Sequence, residues 1–251
     1  RDFIGYFYAH WVPPAPAYVL LVGDGHYDYK NFLGRGEINY IPPYLADVDP
    51  WIGETAVDNR FVTVSGADNL PDLAIGRFPV KTPAEAGIMV TNTLTYLQNP
   101  VQGVLNNQVT FVADNADEAG DFPALSDAAS LDVPADYSIE KIYYQVTHPT
   151  ATEVKSSLLT ALNQGRLMMH YSGHASVQSW GAENFITVAD LPSLTSSSLL
   201  PLLVSYTCAD AYFIFPSPLG SNYSSLVESL VRLPGKGLIA GFAPTGFGES
   251  A

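Results

Sequence analysis

Two side chains in the second half of the chain have the types and positions that nucleophilic acyl transfer needs. His174 stands in Tyr171-Ser172-Gly173-His174-Ala175-Ser176, directly after one apolar run, and Cys208 stands in Val204-Ser205-Tyr206-Thr207-Cys208-Ala209-Asp210, directly after the next. An imidazole beside a thiol takes its proton or stabilises the thiolate, and so makes a nucleophile of a group whose free pKa is about 8.5. A lone cysteine after an apolar strand is also a common small buried hydrophobe. Position by itself therefore leaves Cys208 either a structural thiol or a nucleophile. It is the single cysteine, which excludes an intramolecular disulfide framework and an all-thiolate zinc site.

The elements that must present these residues are apolar runs ending in Gly or Asp, alternating with helix-period stretches, the pattern of a parallel sheet covered by helices. Strands are predicted at 18–23, 73–78, 109–113, 139–145, 167–172, 202–207 and 237–243, most of them buried on both faces. Thr82-Pro83-Ala84-Glu85 predicts a helix start, with Pro at the first helical position, running to about Gln98. Further helices are predicted over about 122–131, 152–164 and 224–233. In open parallel sheets ligands bind outside the carboxyl ends of the strands, so His174 and Cys208 at two neighbouring ends are candidates for one site. The polar, turn-rich stretch 99–108 is the best boundary, giving a first subdomain over 1–106 and a second, chemistry-bearing one over 107–251.

Composition removes several classes of function. Eleven Lys plus Arg against 25 Asp plus Glu leave a net charge of −14, which repels phosphate backbones and anionic lipids, so no nucleic-acid partner is expected. No apolar run reaches the roughly 18–20 residues of a membrane-spanning helix, and no basic-then-apolar leader opens the chain. Arg1 in place of Met, and an end at Ala251 just after an apolar segment, read as a piece of a longer protein. The Gly-rich segments lack the Lys-Ser/Thr ending of a phosphate loop, so nucleotide binding has no support. The long insertion 24–72 carries Asp24, Asp28, Asp47, Asp49, Asp58, Asp68 and Asp72. These are hard oxygen ligands suited to a structural Ca²⁺, without an EF-hand spacing and with no ligand set assigned.

The stretch from Leu167 through YSGHAS to Trp180, followed by Leu200 through SYTCADAYF, resembles the gingipain family of caspase-like cysteine peptidases. LLVGDGHYDY, DNRFVTVSGADNLPDLAIGRFPV and the helix ending YLQNP are similar to the non-catalytic subdomain of that family, and LPGKGLIAGFAPTGFG to the strand after the nucleophile helix. The resemblance covers nearly the whole chain. It implies an α/β caspase-like fold of mostly parallel sheets flanked by helices in two subdomains, and a cysteine endopeptidase that needs no cofactor for its chemistry. It further implies a protein or peptide substrate and a secreted or cell-surface bacterial protein, toward which low Lys, 15 Tyr and 19 Pro also lean. Two other outcomes on the same scaffold are a non-catalytic surface domain and a sortase-like transpeptidase.

By the same resemblance His174 is the general acid/base and Cys208 the nucleophile. The N–H groups of Cys208 and Ala175 form an oxyanion hole, Asp114 orients the histidine, Asp121 recognises a basic P1 residue, and Trp180 lines the wall of that pocket. Ala175 replaces the family's usual Gly, which the hole tolerates only where the backbone suits an L-residue. Asp121 precedes a predicted helix, so an N-cap is the competing reading; Asp114 competes with an ordinary strand-end acid, and Trp180 with a core aromatic. Asp24, His26 and Asp28 alternate after the first strand, where loop hydrogen bonding is favoured over metal ligation. His170 reads as a packed core histidine, and His10 and His148 carry no role.

Overall fold

The computed structural model describes residues 1–101, 103–217 and 223–248; residues 218–222 and 249–251 of the expected second subdomain lie outside these. The chain forms two compact units, Arg1–Ala86 with Phe213–Tyr223, and Gly87–Tyr212 with Ser224–Ala251. The polar stretch around 99–108 thus lies inside the second unit.

The first unit holds α1 (Asp2–His10), β1 (Tyr18–Val22), an antiparallel hairpin of β2 (Leu45–Asp49) and β3 (Gly53–Ala56), and β4 (Ala74–Phe78), which pairs parallel with β1. Its Asp-rich insertion is built by carboxylates accepting from nearby main-chain N–H groups, as Asx-type turns do. Asp28 accepts from Phe32 and Leu33, Asp49 from Trp51 and Ile52, and Asp72 from Val64 and Ser65. Arg77 on β4 binds the Asp58 carboxylate at 2.8 Å and the carbonyls of Gly23 and Ile41, and its guanidinium lies 4.8 Å from the centre of the Phe213 ring. Lys81 joins Glu37 at 2.6 Å and Ser217 at 3.1 Å, so the returning segment is fastened by partly buried polar bonds. β1 departs from the expectation of burial on both faces: Tyr18, Leu20 and Val22 are exposed in alternation, as in a ladder covered on one side.

α2 (Pro83–Gln98) begins at the predicted start, where the Glu85 N–H donates to Thr82 Oγ1. The second unit then runs β5 (Gln108–Ala113), α3 (Phe122–Ser130), β6 (Ser138–Tyr143), α4 (Ala151–Gln164) and β7 (Met168–Ser172). Three two-residue strands follow, β8 (Ala175–Ser176), β9 (Ser179–Trp180) and β10 (Ile186–Thr187), and then β11 (Leu202–Tyr206), α5 (Leu226–Val231) and β12 (Ala240–Phe242). The main sheet has the order β12-β11-β7-β5-β6 and every pairing in it is parallel. Parallel strands need covering on both faces. Val109, Phe111 and Ala113 pack with Phe122 and Tyr143, while Val154, Leu158, Ala161 and Leu162 form the buried stripe of α4. The helices begin where side chains satisfy free N–H groups: Thr150 with Glu153 on α4 and Ser225 with Glu228 on α5 are reciprocal capping boxes. Arg166, 2% exposed before β7, is balanced by Glu140, Thr110 and the Gly165 carbonyl.

Candidate active site

β7 and β11 are neighbours in register, with Ser172 opposite Tyr206 at their carboxyl ends. His174 and Cys208 each lie two residues beyond that pair, and the residues between are bonded across. The Gly173 N–H donates to the Tyr206 carbonyl at 3.4 Å, and Thr207 Oγ1 donates to the Gly173 carbonyl at 2.5 Å. Both residues therefore stand just beyond the carboxyl ends of neighbouring strands, at one edge of the main sheet. Gly173 is required where it stands: a Cβ there would lie 2.5 Å from Asp114 Cβ and 2.7 Å from Tyr171 Oη.

The His174 imidazole is 45% exposed, packs edge-on to Phe122 and bonds Asp117 Oδ2 through Nε2 at 2.7 Å. Asp117 lies in the loop after β5. Slight desolvation works the other way, but the bonds with His174 and from the Ala119 N–H hold its carboxyl below the usual range. Asp114, 2% exposed, does something different: Oδ2 accepts from the main-chain N–H of His174 at 3.3 Å and Oδ1 from that of Asn115. The acid on the imidazole is thus Asp117, and Asp114 supports the main chain of the histidine turn. Burial holds the Asp114 carboxyl above its ordinary value, against these N–H bonds.

Cys208 is partly exposed and free, and its thiol donates to the Gly248 carbonyl at 3.8 Å. The next residue, Ala209, takes a left-handed φ of 52°, with its N–H on the Gly246 carbonyl at 2.7 Å, so the chain turns sharply just past the sulfur. Asp210 follows, fully buried, its Oδ2 accepting from Ser205 Oγ at 2.6 Å and from Trp180 Nε1 at 2.9 Å. Ala175 lies in β8, opposite Trp180 of β9, and is not among the residues with positive φ, so an L-residue fits.

A model of peptidase family C25 matches residues 1–250. The chain belongs to peptidase family C25. Gingipain R2 of Porphyromonas gingivalis is 26% identical over 205 residues, 80% of this chain and 25% of that protein, and gingipain R1 of the same organism is 26% identical over 80% of this chain and 18% of its own length. The chain thus spans about a quarter or less of the curated relatives it matches. The crystal structure of the Arg-specific cysteine proteinase gingipain R superposes with a TM-score of 0.75 at 23% identity, covering 100% of this chain and 53% of that one. A complex of the RgpB pro- and mature domains gives 0.74 at 23% identity, covering 100% and 54%. The fold is the gingipain type, mixed α/β with a mostly parallel central sheet flanked by helices.

The remaining candidates sit in this C25 scaffold as follows. Asp121 is exposed and caps α3, its Oδ1 accepting from the Ala124 N–H at 3.0 Å. Trp180 is 2% exposed and stacked on Tyr171 with centroids 4.2 Å apart, a core position beneath the edge. His170 packs against Phe111 with the rings tilted and their centroids 5.1 Å apart, and burial pushes its pKa down to about 4, as befits a packed histidine. It lines a cavity of about 470 Å³ with Val109, Phe111, Met168, Leu202 and Val204, to which neither His174 nor Cys208 contributes. Asp24 and Asp28 accept main-chain N–H bonds, and His26 Nε2 pairs with the Glu37 carbonyl. Among the described residues no group of three or more His, Cys, Asp or Glu is arranged to hold a metal ion. Sequence reasoning missed Asp117 and Asp210; the signals were an acid in the loop after β5 and an acid two residues beyond the cysteine.

Proposed function

We propose that this chain carries the acyl-transfer centre of a gingipain-like cysteine endopeptidase, with Cys208 as nucleophile and His174 as general acid/base. The observation that carries the reading is the cross-bonded pair Gly173 and Thr207, which brings the histidine and cysteine turns to one sheet edge. His174 Nε2 is paired with Asp117, which leaves Nδ1 for the thiol. A carboxylate on one nitrogen and the nucleophile at the other is the arrangement that fixes a tautomer and stabilises imidazolium, so Asp117 takes the orienting role.

His174 removes the proton from Cys208, and the thiolate attacks the scissile carbonyl to form a tetrahedral oxyanion. The Cys208 and Ala175 N–H groups receive that charge. In the β8–β9 ladder the Gly181 N–H bonds the His174 carbonyl at 2.7 Å. By the alternation of antiparallel pairs, the next pair, Ala175 with Trp180, exchanges no ladder bond and the Ala175 N–H points outward. Collapse expels the amine with the proton from His174, and water hydrolyses the thioester to regenerate the thiol.

The substrate is a protein or peptide, with a basic P1 residue favoured. Asp121 spends only Oδ1 on its helix cap, leaving Oδ2 for a guanidinium. This rests on the resemblance to Arg-specific gingipain R and on an exposed carboxylate at the head of α3. Secretion or surface display is proposed on the same kinship.

The test is Cys208→Ala against a fluorogenic arginyl peptide. Cleavage is expected to disappear while the circular dichroism and melting curve stay those of the parent. Turnover retained by the folded variant contradicts the mechanism. Asp117→Ala is expected to lower kcat/KM by about 10-fold or more through loss of imidazole orientation, with binding of a competitive peptide aldehyde weakened in parallel.

A further inference from the structure

Asp210 has no part in the steps above, and it is an expensive residue to place where it is. It is 0% exposed, both donors to its Oδ2 are neutral groups, and its Oδ1 has no hydrogen-bond partner. A buried carboxylate with only neutral partners costs free energy that an apolar side chain of similar size would not. Consistent with this, burial pushes its pKa up to about 6 despite the Ser205 and Trp180 bonds.

What the carboxylate joins is specific. From β11 it holds Ser205; from β9 it holds Trp180; its own main-chain carbonyl accepts from the Val227 N–H at the head of α5. Trp180 stacks on Tyr171, whose hydroxyl donates to the His174 carbonyl at 2.5 Å. On the other side, two residues back through the left-handed Ala209, stands Cys208. The β8–β9 hairpin has only two residues in each strand, too short to hold its place by its own ladder. An oxyanion hole whose donors come from two separate segments works only if both are held within about 0.5 Å. One donor is on this hairpin and the other at Cys208.

We propose that Asp210 is a positioning residue for acyl transfer: by bonding Trp180 it tethers the β8–β9 hairpin to the Cys208 turn and sets the spacing of the two oxyanion donors, Ala175 N–H and Cys208 N–H. The role rests on the peptidase reading given above. It acts through hydrogen-bond geometry, so an amide oxygen at the same place serves as well.

Two reactions of the same sulfur separate this role from simple stabilisation. Peptidyl transfer passes through an oxyanion; alkylation by iodoacetamide displaces iodide at carbon and forms none. In Asp210→Ala and in Trp180→Phe, kcat for an arginyl peptide is expected to fall about 10- to 100-fold, with KM and the alkylation rate of Cys208 within about twofold of the parent. The double variant is expected to be no worse than the poorer single one, because both remove the same bond. Asp210→Asn, which keeps the acceptor, is expected to stay within about threefold of the parent in kcat. If Asp210→Ala does not fold, Trp180→Phe carries the same test, since it keeps an aromatic ring against Tyr171 while removing the N–H along with the second ring of the indole. Alkylation and acyl transfer falling together in a folded variant, unchanged kcat, or losses that multiply in the double variant each overturn the role. A parent protein that alkylates at Cys208 yet transfers no acyl group overturns the peptidase reading itself, whereas a parent that transfers, with an equally active Asp210→Ala, overturns this role alone.

Discussion

The placement of Cys208 and His174 beyond neighbouring strand ends was legible in the sequence because each follows an apolar run, and a parallel sheet lines up such ends without further information. Their acids were not, because which carboxylate reaches an imidazole depends on how a loop folds: Asp114 and Asp117 are three residues apart, and only the second bonds the ring. Asp121 shows the same limit, since one carboxylate both caps α3 and faces solvent. Asp121→Ala is expected to cost about 1 kcal/mol of stability from the lost cap and to raise KM for arginyl over uncharged P1 peptides; a stability loss with unaltered P1 preference leaves only the cap. Asp210 makes a thermodynamic prediction of its own. Its folded pKa of about 6 lies above the 3.8 of a free aspartate, so the folded state holds a proton that the unfolded chain releases between these values. The stability it contributes is present below pH 4 and lost as pH rises through 6, on the order of 3 kcal/mol. Asp210→Asn is therefore expected to melt higher than the parent at pH 8, with the gap closing toward pH 4, and a gap independent of pH contradicts the assignment of a buried ionising carboxyl.

Among the elements, β5, β7 and β11 and the helices between them stand close to where apolar runs and capping residues put them, because a buried parallel strand and a capped helix each leave a local signature. Thr150 and Glu153 are such a case, and Thr150→Ala is expected to cost about 1 kcal/mol in chemical denaturation with an unchanged m value. The elements that escaped notice have no such signature. α1 buries none of its residues and its first turn has no side-chain cap, so it carries no start signal. β8, β9 and β10 are two residues each, too short for any period to show, yet they carry one of the proposed oxyanion donors. β1 was legible as a strand but not as one exposed along one side, because an apolar run does not reveal how many of its faces are covered. The turn between β7 and β8 admits no Cβ at residue 173, so Gly173→Ala is expected to displace the histidine turn, lowering both acyl transfer and alkylation of Cys208; full activity in that variant contradicts the packing described.

At the scale of the whole molecule, a net charge of −14 and a pI near 4.5 give the surface an attraction for cationic peptides. Raising the salt from about 50 to about 500 mM is expected to lower kcat/KM for an arginyl-rich peptide several-fold while barely changing that for a neutral peptide of equal length. Equal salt dependence for the two argues against electrostatic steering. The family is carried by blocks spread over nearly the full chain, and membership in C25 matches them from residue 1 to 250. The central claim, that a lone thiol at the carboxyl edge of a parallel sheet accepts an acyl group, is tested most directly by trapping the intermediate. The protein is mixed with an arginyl peptide ester, quenched in acid within seconds, digested and weighed by mass spectrometry. The account predicts an acyl mass on the peptide containing Cys208, absent after hydroxylamine treatment and absent from Cys208→Ala; an ester turned over with no adduct on that peptide, or with an adduct that survives in the variant, contradicts it.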